Sequence, residues 1–244
     1  MVKRRRMGLL ATVLFAAQLA AWPASAEPSL LAPEDLNPAL VLPPPPAPGS
    51  AQAAAELAEL RLVETVRTPE MLADARRDSE TKSASIFASA IGPAFSLEKL
   101  PATARLMGEV RIAEKDAADR AKAHFRRSRP WVAAPDLNHC GKGDDADWSS
   151  YPSGHTTMAY SMGAVLARLD PAQATAIMAR AARYGESRIV CEVHFRSDIT
   201  GGETLGLVVA DRLMEKPAFQ ADFQAAQAEL TVAGIVKDQT LRLD

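Results

Sequence analysis

From about residue 53 onward, apolar residues recur three or four apart along nearly the whole chain, and almost no stretch alternates apolar with polar. That period places side chains on one stripe of a helix, whereas a strand needs a period of two. The clearest case runs from about Ala102 to Arg127: Leu106, Val110, Ala113, Ala117 and Ala121 share a face, and Glu109, Glu114, Asp116 and Asp119 occupy the others. Amphipathic helices without a sheet must bury their stripes against one another. The expectation is therefore all-α: a compact, single-domain bundle of roughly eight to ten helices.

Local punctuation divides that bundle. Ala53–Arg67 reads as a helix, and Thr68-Pro69 supplies a cap and a first-turn proline for a second one to about Ser79. Ser83–Phe95, interrupted by Gly92-Pro93, reads as a short helix and a turn. The long helix stops before Pro130, and residues 131–152, with Pro135, Gly141, Gly143, Pro152 and four aspartates, read as a loop. Ser153–Leu169 is helical again, and Asp170-Pro171 caps and starts a helix to about Ile189. Ser197 or Asp198 opens a helix to about Met214, and Lys216-Pro217 introduces a last one to about Leu230. Residues 27–50, with Pro43 to Pro46, read as polyproline or irregular chain lying over the surface.

The start of the chain carries Lys3, Arg4, Arg5 and Arg6, an apolar run from Met7 to about Trp22, and Ala24-Ser25-Ala26. This is the pattern of a signal peptide over residues 1–26, too short in its apolar part for a membrane span. Removing it takes 28 basic residues to 24 against an unchanged 30 acids, a balance near −6. Such a charge disfavours nucleic acid and anionic membrane surfaces as partners. Export also bears on the two cysteines, Cys140 and Cys191, since an oxidising compartment favours a disulfide between them. The domain reading is signal peptide 1–26, proline-rich segment 27–50 and helical domain 51–244.

Three short stretches carry chemistry: Lys122 with Arg129-Pro130, Tyr151-Pro152-Ser153-Gly154-His155, and Ser187-Arg188 with His194 and Asp198. Each alone has a plain structural reading, as a basic helix end, a helix start and a local His–Asp bond. Together they supply what phosphoryl transfer to a side chain requires. Lys122, Arg129 and Arg188 can neutralise the oxygens of a phosphate. Ser153 and Gly154 open a helix, so their N–H groups and the Ser153 hydroxyl can donate to the same anion. His194 has Asp198 four residues on, a spacing that lets the carboxylate fix the ring tautomer and leave the other nitrogen to attack phosphorus. His155, beside the anion cradle, is placed to protonate the leaving oxygen.

The pattern Lys-x6-Arg-Pro, Pro-Ser-Gly-His, Ser-Arg-x5-His-x3-Asp resembles the signature of the phosphatidic acid phosphatase type 2 superfamily, which includes vanadium haloperoxidases. Within it, Ser150–Thr157 and the proline run before a helical half are similar to the bacterial class A non-specific acid phosphatases. The resemblance implies a helical fold of that type, the periplasm, and acid hydrolysis of a broad range of phosphate monoesters with no metal cofactor. It implies a phosphate pocket of Lys122, Arg129, Ser153, Gly154 and Arg188, His194 as nucleophile, Asp198 as its orienting partner, and His155 as acid. Small-molecule phosphate esters are the implied partners, with no nucleic acid, no membrane after signal cleavage, and a homo-oligomer as the family habit.

Three residues depart from the family pattern. Glu192 stands where glycine is usual two residues before the nucleophile, Phe195 replaces a tryptophan, and Ser149 replaces a glycine. A carboxylate at 192, if it faced the anion pocket, would weaken dianion binding or raise the histidine pKa values. His124 and His139 read as structural or exposed. Gly141-Lys142-Gly143 lacks P-loop spacing, and Asp144, Asp145 and Asp147 match a cation loop only loosely. Rival readings are a vanadate-dependent haloperoxidase, a lipid phosphatase, for which no further long apolar run exists, and a non-catalytic periplasmic phosphate-binding relative.

Overall fold

A computed structural model describes residues 28–141 and 145–237; the signal-peptide region, and Lys142, Gly143 and Asp144 of the loop, lie outside the described residues. Within them every regular element is helical: α1 (Pro38–Val41), α2 (Ala51–Val66), α3 (Pro69–Glu80), a 3₁₀ turn at Ala84–Phe87 leading into α4 (Ala88–Ile91), α5 (Pro101–Phe125), α6 (Pro130–Ala133), α7 (Gly154–Leu169), α8 (Ala174–Val190), α9 (Arg196–Met214) and α10 (Pro217–Val232). The all-α expectation holds.

Side-chain chemistry explains most boundaries. Ser50 caps α2 through the Ala53 N–H, so that helix begins earlier than its apolar pattern suggests. Thr68 caps α3 through the Met71 N–H, with Pro69 in its first turn. Helix α5 has no cap of its own; Glu229, on α10, reaches across to accept the N–H groups of Ala102 and Thr103 at 2.9 and 2.8 Å. At its other end Arg126, with φ 48, turns the chain out of the helix just past Lys122.

Three local expectations need correction. Asp170 makes no cap bond; the chain passes through a 3₁₀ turn at Pro171–Gln173 before α8. Helix α9 starts at Arg196, and Asp198 sits in its third position, accepting the Phe195 N–H at 2.9 Å. Glu114 is fully buried although its helix pattern assigns it to a polar face. The loop 131–152 and the proline-rich segment each also contain one short helix, α6 and α1. That segment is anchored as well as draped: Leu31, Leu36 and Leu42 enter the main core, and the Pro43 carbonyl accepts the Tyr151 hydroxyl at 2.8 Å.

The core gathers α5, α7, α8, α9 and α10, with Leu106, Val110, Met158, Met162, Val165, Leu205, Val209 and Leu213 among its buried side chains. Helices α7 and α9 make the most extensive contact in the bundle. Two glycines permit it: a Cβ at Gly206 would lie 2.6 Å from the Thr157 carbonyl oxygen, and one at Gly202 would lie 2.8 Å from that of Ser153. Because α7 begins at the Pro-Ser-Gly-His stretch and α9 at the His–Asp stretch, this close packing sets the distance between the two motifs. A main-chain bond from the Ser153 N–H to the Asp198 carbonyl, 2.9 Å, pins them directly.

The turn between α8 and His194 is tied in from behind. Cys140 and Cys191 form a disulfide across a separation of 51 residues, and the Cys140 N–H donates to the Cys191 carbonyl at 3.0 Å. Closing a loop of that size is worth about 4 kcal/mol on the chain-entropy account. Arg67, at the end of α2, adds bonds to the Val190 and Asn138 carbonyls, fixing the turn from α8 to His194.

Candidate active site

The eight residues singled out in the sequence gather at one place, although they come from α5, the link after it, the start of α7, α8, the turn before α9 and α9 itself. His194 is almost fully buried there. Its Nδ1 lies 3.3 Å from Asp198 Oδ2, and its Nε2 lies 2.9 Å from Nη1 of Arg129. A guanidinium can only donate, so Nε2 is the accepting nitrogen and the ring proton sits on Nδ1, facing the carboxylate. Nε2 therefore carries the lone pair and looks toward the cations. Burial first, then Arg129, Arg188 and Lys122, hold the His194 pKa well below the usual imidazole value. The ring is neutral, as a nucleophile must be.

Around Nε2 the positive charge is fixed and partly unanswered. Arg129 is nearly inaccessible; its Nη1 also donates to the Val193 carbonyl at 2.8 Å, and its Nη2 pairs with Asp145 at 3.1 Å. Arg188 is buried too, and its Nε and Nη1 have no hydrogen-bond partner among the described residues. Orphaned donors on a buried cation are costly, and they are the signature of a site built for an anion. Lys122 makes no ion pair or hydrogen bond among the described residues, and burial together with Arg129 lowers its pKa. Gly154 makes room for it, since a Cβ there would stand 3.3 Å from the Lys122 ammonium. Ser153 Oγ accepts from the Thr156 N–H and hydroxyl at 3.3 and 3.0 Å, which leaves its own proton to donate.

These groups border a cavity of about 190 Å³ lined by Lys122, Arg129, Gly154, His155 and His194, with Lys82, Arg111, Glu114, Lys115 and Asp145 among its further wall residues. Ser153 and Arg188 are buried beside those residues and do not line it. His155 donates from Nε2 to the Ser79 carbonyl at 3.2 Å, which leaves Nδ1 for proton exchange. Burial, then Arg188, push its pKa well below the usual value. A role as acid therefore requires the negative charge of a bound phosphate, or acid pH, to bring the proton on.

Several residues at the site escaped the sequence reading. Arg127 places Nη1 at 2.6 Å from Asp198 Oδ1, and its Nη2 at 2.6 Å from Glu56 on α2. Ser150 donates to Asp198 Oδ2 at 2.5 Å. The link after α5 pairs with the 147–150 chain through the bonds Arg129 N–H to Asp147 and Ser150 N–H to Arg127, 2.7 and 3.1 Å. Pairing of that kind turns residues two apart to the same side, so Arg127 shares a side with Arg129. Glu114 is the other omission: it takes a bond from Arg111, and burial pushes its carboxyl up to about 8.

The three departures from the family pattern now have places. Glu192 adopts φ 54, the left-handed region that glycine enters without cost, which accounts for the glycine expected there. Its carboxylate pairs with Arg67 at 3.0 Å and is absent from the cavity wall, so the feared interference with the anion pocket does not arise. Phe195 lies under the Arg127 guanidinium at 4.3 Å. Ser149 supplies an oxygen that the expected glycine would lack, accepting Nε and Nη2 of Arg129 at 3.3 and 3.2 Å. His139 stacks on Trp131 and His124 packs edge-on to Phe125, outside the site.

The chain is similar to known bacterial proteins over most of its length. An acid phosphatase of Zymomonas mobilis subsp. mobilis is 32% identical over 203 residues, spanning 81% of this chain and 76% of that protein. A non-specific acid phosphatase of Providencia stuartii is 29% identical over 196 residues, 78% of this chain and 79% of that protein. Among solved structures, Aquifex aeolicus LpxE superposes with a TM-score of 0.49 at 23% identity, covering 64% of this chain and 92% of that one. The family described as the PAP2 superfamily matches residues 110–217, the stretch that holds all three motifs. With that match, and a relative this similar over most of both lengths, the chain belongs to the PAP2 superfamily.

Proposed function

We propose that this phosphoric monoester hydrolase is a secreted, metal-independent acid phosphatase that works through a phosphohistidine on His194. The carrying observation is the buried Arg188 guanidinium, whose Nε and Nη1 have no partner among the described residues and whose charge helps to lower the His194 pKa. In this reading Arg188, Arg129, Lys122, the Ser153 hydroxyl and the N-terminal N–H groups of α7 hold the phosphoryl oxygens. Nε2 attacks phosphorus in line, the P–O bond to the alcohol breaks, and His155 delivers a proton to the departing oxygen. Water then attacks the phosphohistidine and gives a proton to His155, the P–N pair returns to Nε2, and inorganic phosphate leaves.

The acid preference follows from His155, whose lowered pKa means that the protonated, substrate-ready form gains population as pH falls. Broad substrate range is consistent with a small anion pocket that fixes the phosphate and leaves the alcohol at its mouth. Export to the periplasm rests on the signal-like residues 1–26; among the described residues no helix is long and apolar enough to cross a membrane. The test uses purified mature protein, para-nitrophenyl phosphate, EDTA and a pH series, with His194→Ala beside wild type. Turnover that survives chelation and is abolished in the variant supports the proposal. A requirement for added divalent metal, or activity in the variant, contradicts it. Peroxide-driven halide oxidation upon adding vanadate would favour a haloperoxidase instead.

A further inference from the structure

We infer that Arg127, held by Glu56, is a positioning residue that keeps the Nδ1 proton on His194 through both halves of the reaction; the inference rests on the phosphohistidine reading above. Asp198 is fully buried and accepts four donors. Arg127 takes Oδ1 at 2.6 Å, while Ser150, the Phe195 N–H and His194 Nδ1 share Oδ2 at 2.5, 2.9 and 3.3 Å. His194 makes the longest of these contacts, so the carboxylate is oriented mainly by the others.

Arg127 is itself almost buried and is fixed on three sides. Its Nη1 also donates to Ser197 Oγ at 2.7 Å, Nη2 pairs with Glu56 Oε2 at 2.6 Å, and the guanidinium lies over Phe195. Glu56 turns its second oxygen to the Ser197 N–H at 2.8 Å, at the start of the helix that carries Asp198. A chain of contacts thus runs from α2 through Glu56, Arg127 and Asp198 to the reacting ring. Such a network is rigid when every member is satisfied.

The consequence concerns the proton. Moving it from Nδ1 to Oδ2 would neutralise the carboxylate that Arg127 meets at 2.6 Å, and would leave that guanidinium facing an uncharged acid. With the proton kept on Nδ1, attack by Nε2 gives a cationic phosphorylated ring. When water attacks phosphorus, the P–N electron pair returns to Nε2 and the ring leaves as neutral imidazole. Were the proton on Asp198, the ring would have to leave as an imidazolide anion, a far poorer leaving group. Loss of Arg127 should therefore slow breakdown of the phosphohistidine more than its formation.

The experiment compares Arg127→Ala, Arg127→Lys and Glu56→Gln with wild type, using phosphorus-labelled para-nitrophenyl phosphate and an alkaline denaturing quench to measure the steady-state phosphoenzyme fraction. For Arg127→Ala, kcat should fall roughly ten- to a hundredfold, the size usual for partners that orient a reacting group. A slower second step lowers KM together with kcat, so kcat/KM should change much less than kcat; inhibition by inorganic phosphate should change less than about twofold, because the anion cradle is intact, and the phosphoenzyme fraction should rise. Lysine should restore part of kcat, and Glu56→Gln should fall between. If Arg127→Ala does not fold, the two conservative variants carry the test. An unchanged phosphoenzyme fraction, or kcat and KM moving only with loss of folded protein, overturns the inference alone. Wild-type turnover without a trapped phosphoenzyme overturns it together with the reading it rests on.

Discussion

Replacing Arg188 by methionine should stabilise the ligand-free protein while nearly abolishing its activity. Arg188 is buried, two of its nitrogens have no partner among the described residues, and burial with Arg129 nearby pushes its pKa from the ordinary guanidinium value down to about 10. That depression corresponds to about 3 kcal/mol against the charged form in the folded state. Methionine matches the length of the stem but not its packing, which should return roughly 1 kcal/mol of the gain. A net stabilisation of about 2 kcal/mol would raise Tm by roughly 4–8 °C in a protein of this size. The same change removes a donor aimed at the phosphoryl oxygens, so kcat/KM should fall about 10²- to 10³-fold. Thermal denaturation with and without inorganic phosphate, beside para-nitrophenyl phosphate hydrolysis, reads both effects. Phosphate should raise the Tm of wild type through preferential binding to the folded state, and raise that of the variant much less. A variant that melts below wild type without phosphate, or that gains as much from phosphate, would refute the view of Arg188 as a cation held unpaired for the substrate.

Three further outcomes follow from the same contacts. Both site histidines have folded pKa values well below 6.5, so below that pH the unfolded chain binds protons that the folded one does not. Stability should therefore drop as pH falls below about 6.5, and phosphate should lessen the loss, as urea midpoints measured from roughly pH 7.5 to 5 would reveal. Gly206→Ala would set a Cβ 2.6 Å from the Thr157 carbonyl oxygen; forcing α7 from α9 should cost about 1–3 kcal/mol and lower kcat, as denaturation and kinetics would register. Replacing Cys140 and Cys191 together by serine should remove about 4 kcal/mol, an effect that reduction of wild type should reproduce in a denaturant melt.

What the sequence disclosed was mostly local. His194 and Asp198 lie four residues apart, Ser153 directly precedes α7, and Thr68-Pro69 marks the start of α3, so each could be read from spacing and side-chain chemistry. Residues whose role depends on a distant partner stayed hidden. Arg127 meets Asp198 across 71 positions, and Glu56 meets Ser197 across 141. Periodicity assigned Glu114 to a polar face because a carboxylate is assumed to seek water; Arg111 answers one of its oxygens, and the other is buried without a partner among the described residues. Gly202 and Gly206 look like weak points of a helix until the main chain of α7 is laid against them. Glu192 was judged by its charge, whereas its backbone angle and its contact with Arg67 explain it.

The central claim is that Nε2 of His194 bonds to phosphorus. Wild-type enzyme mixed with radiolabelled substrate, quenched within its turnover time and digested, should yield an acid-labile, base-stable phosphoramidate on the peptide that contains His194. His194→Ala should yield none. Label on a serine or on another histidine, or wild-type turnover without any labelled peptide, would contradict the account.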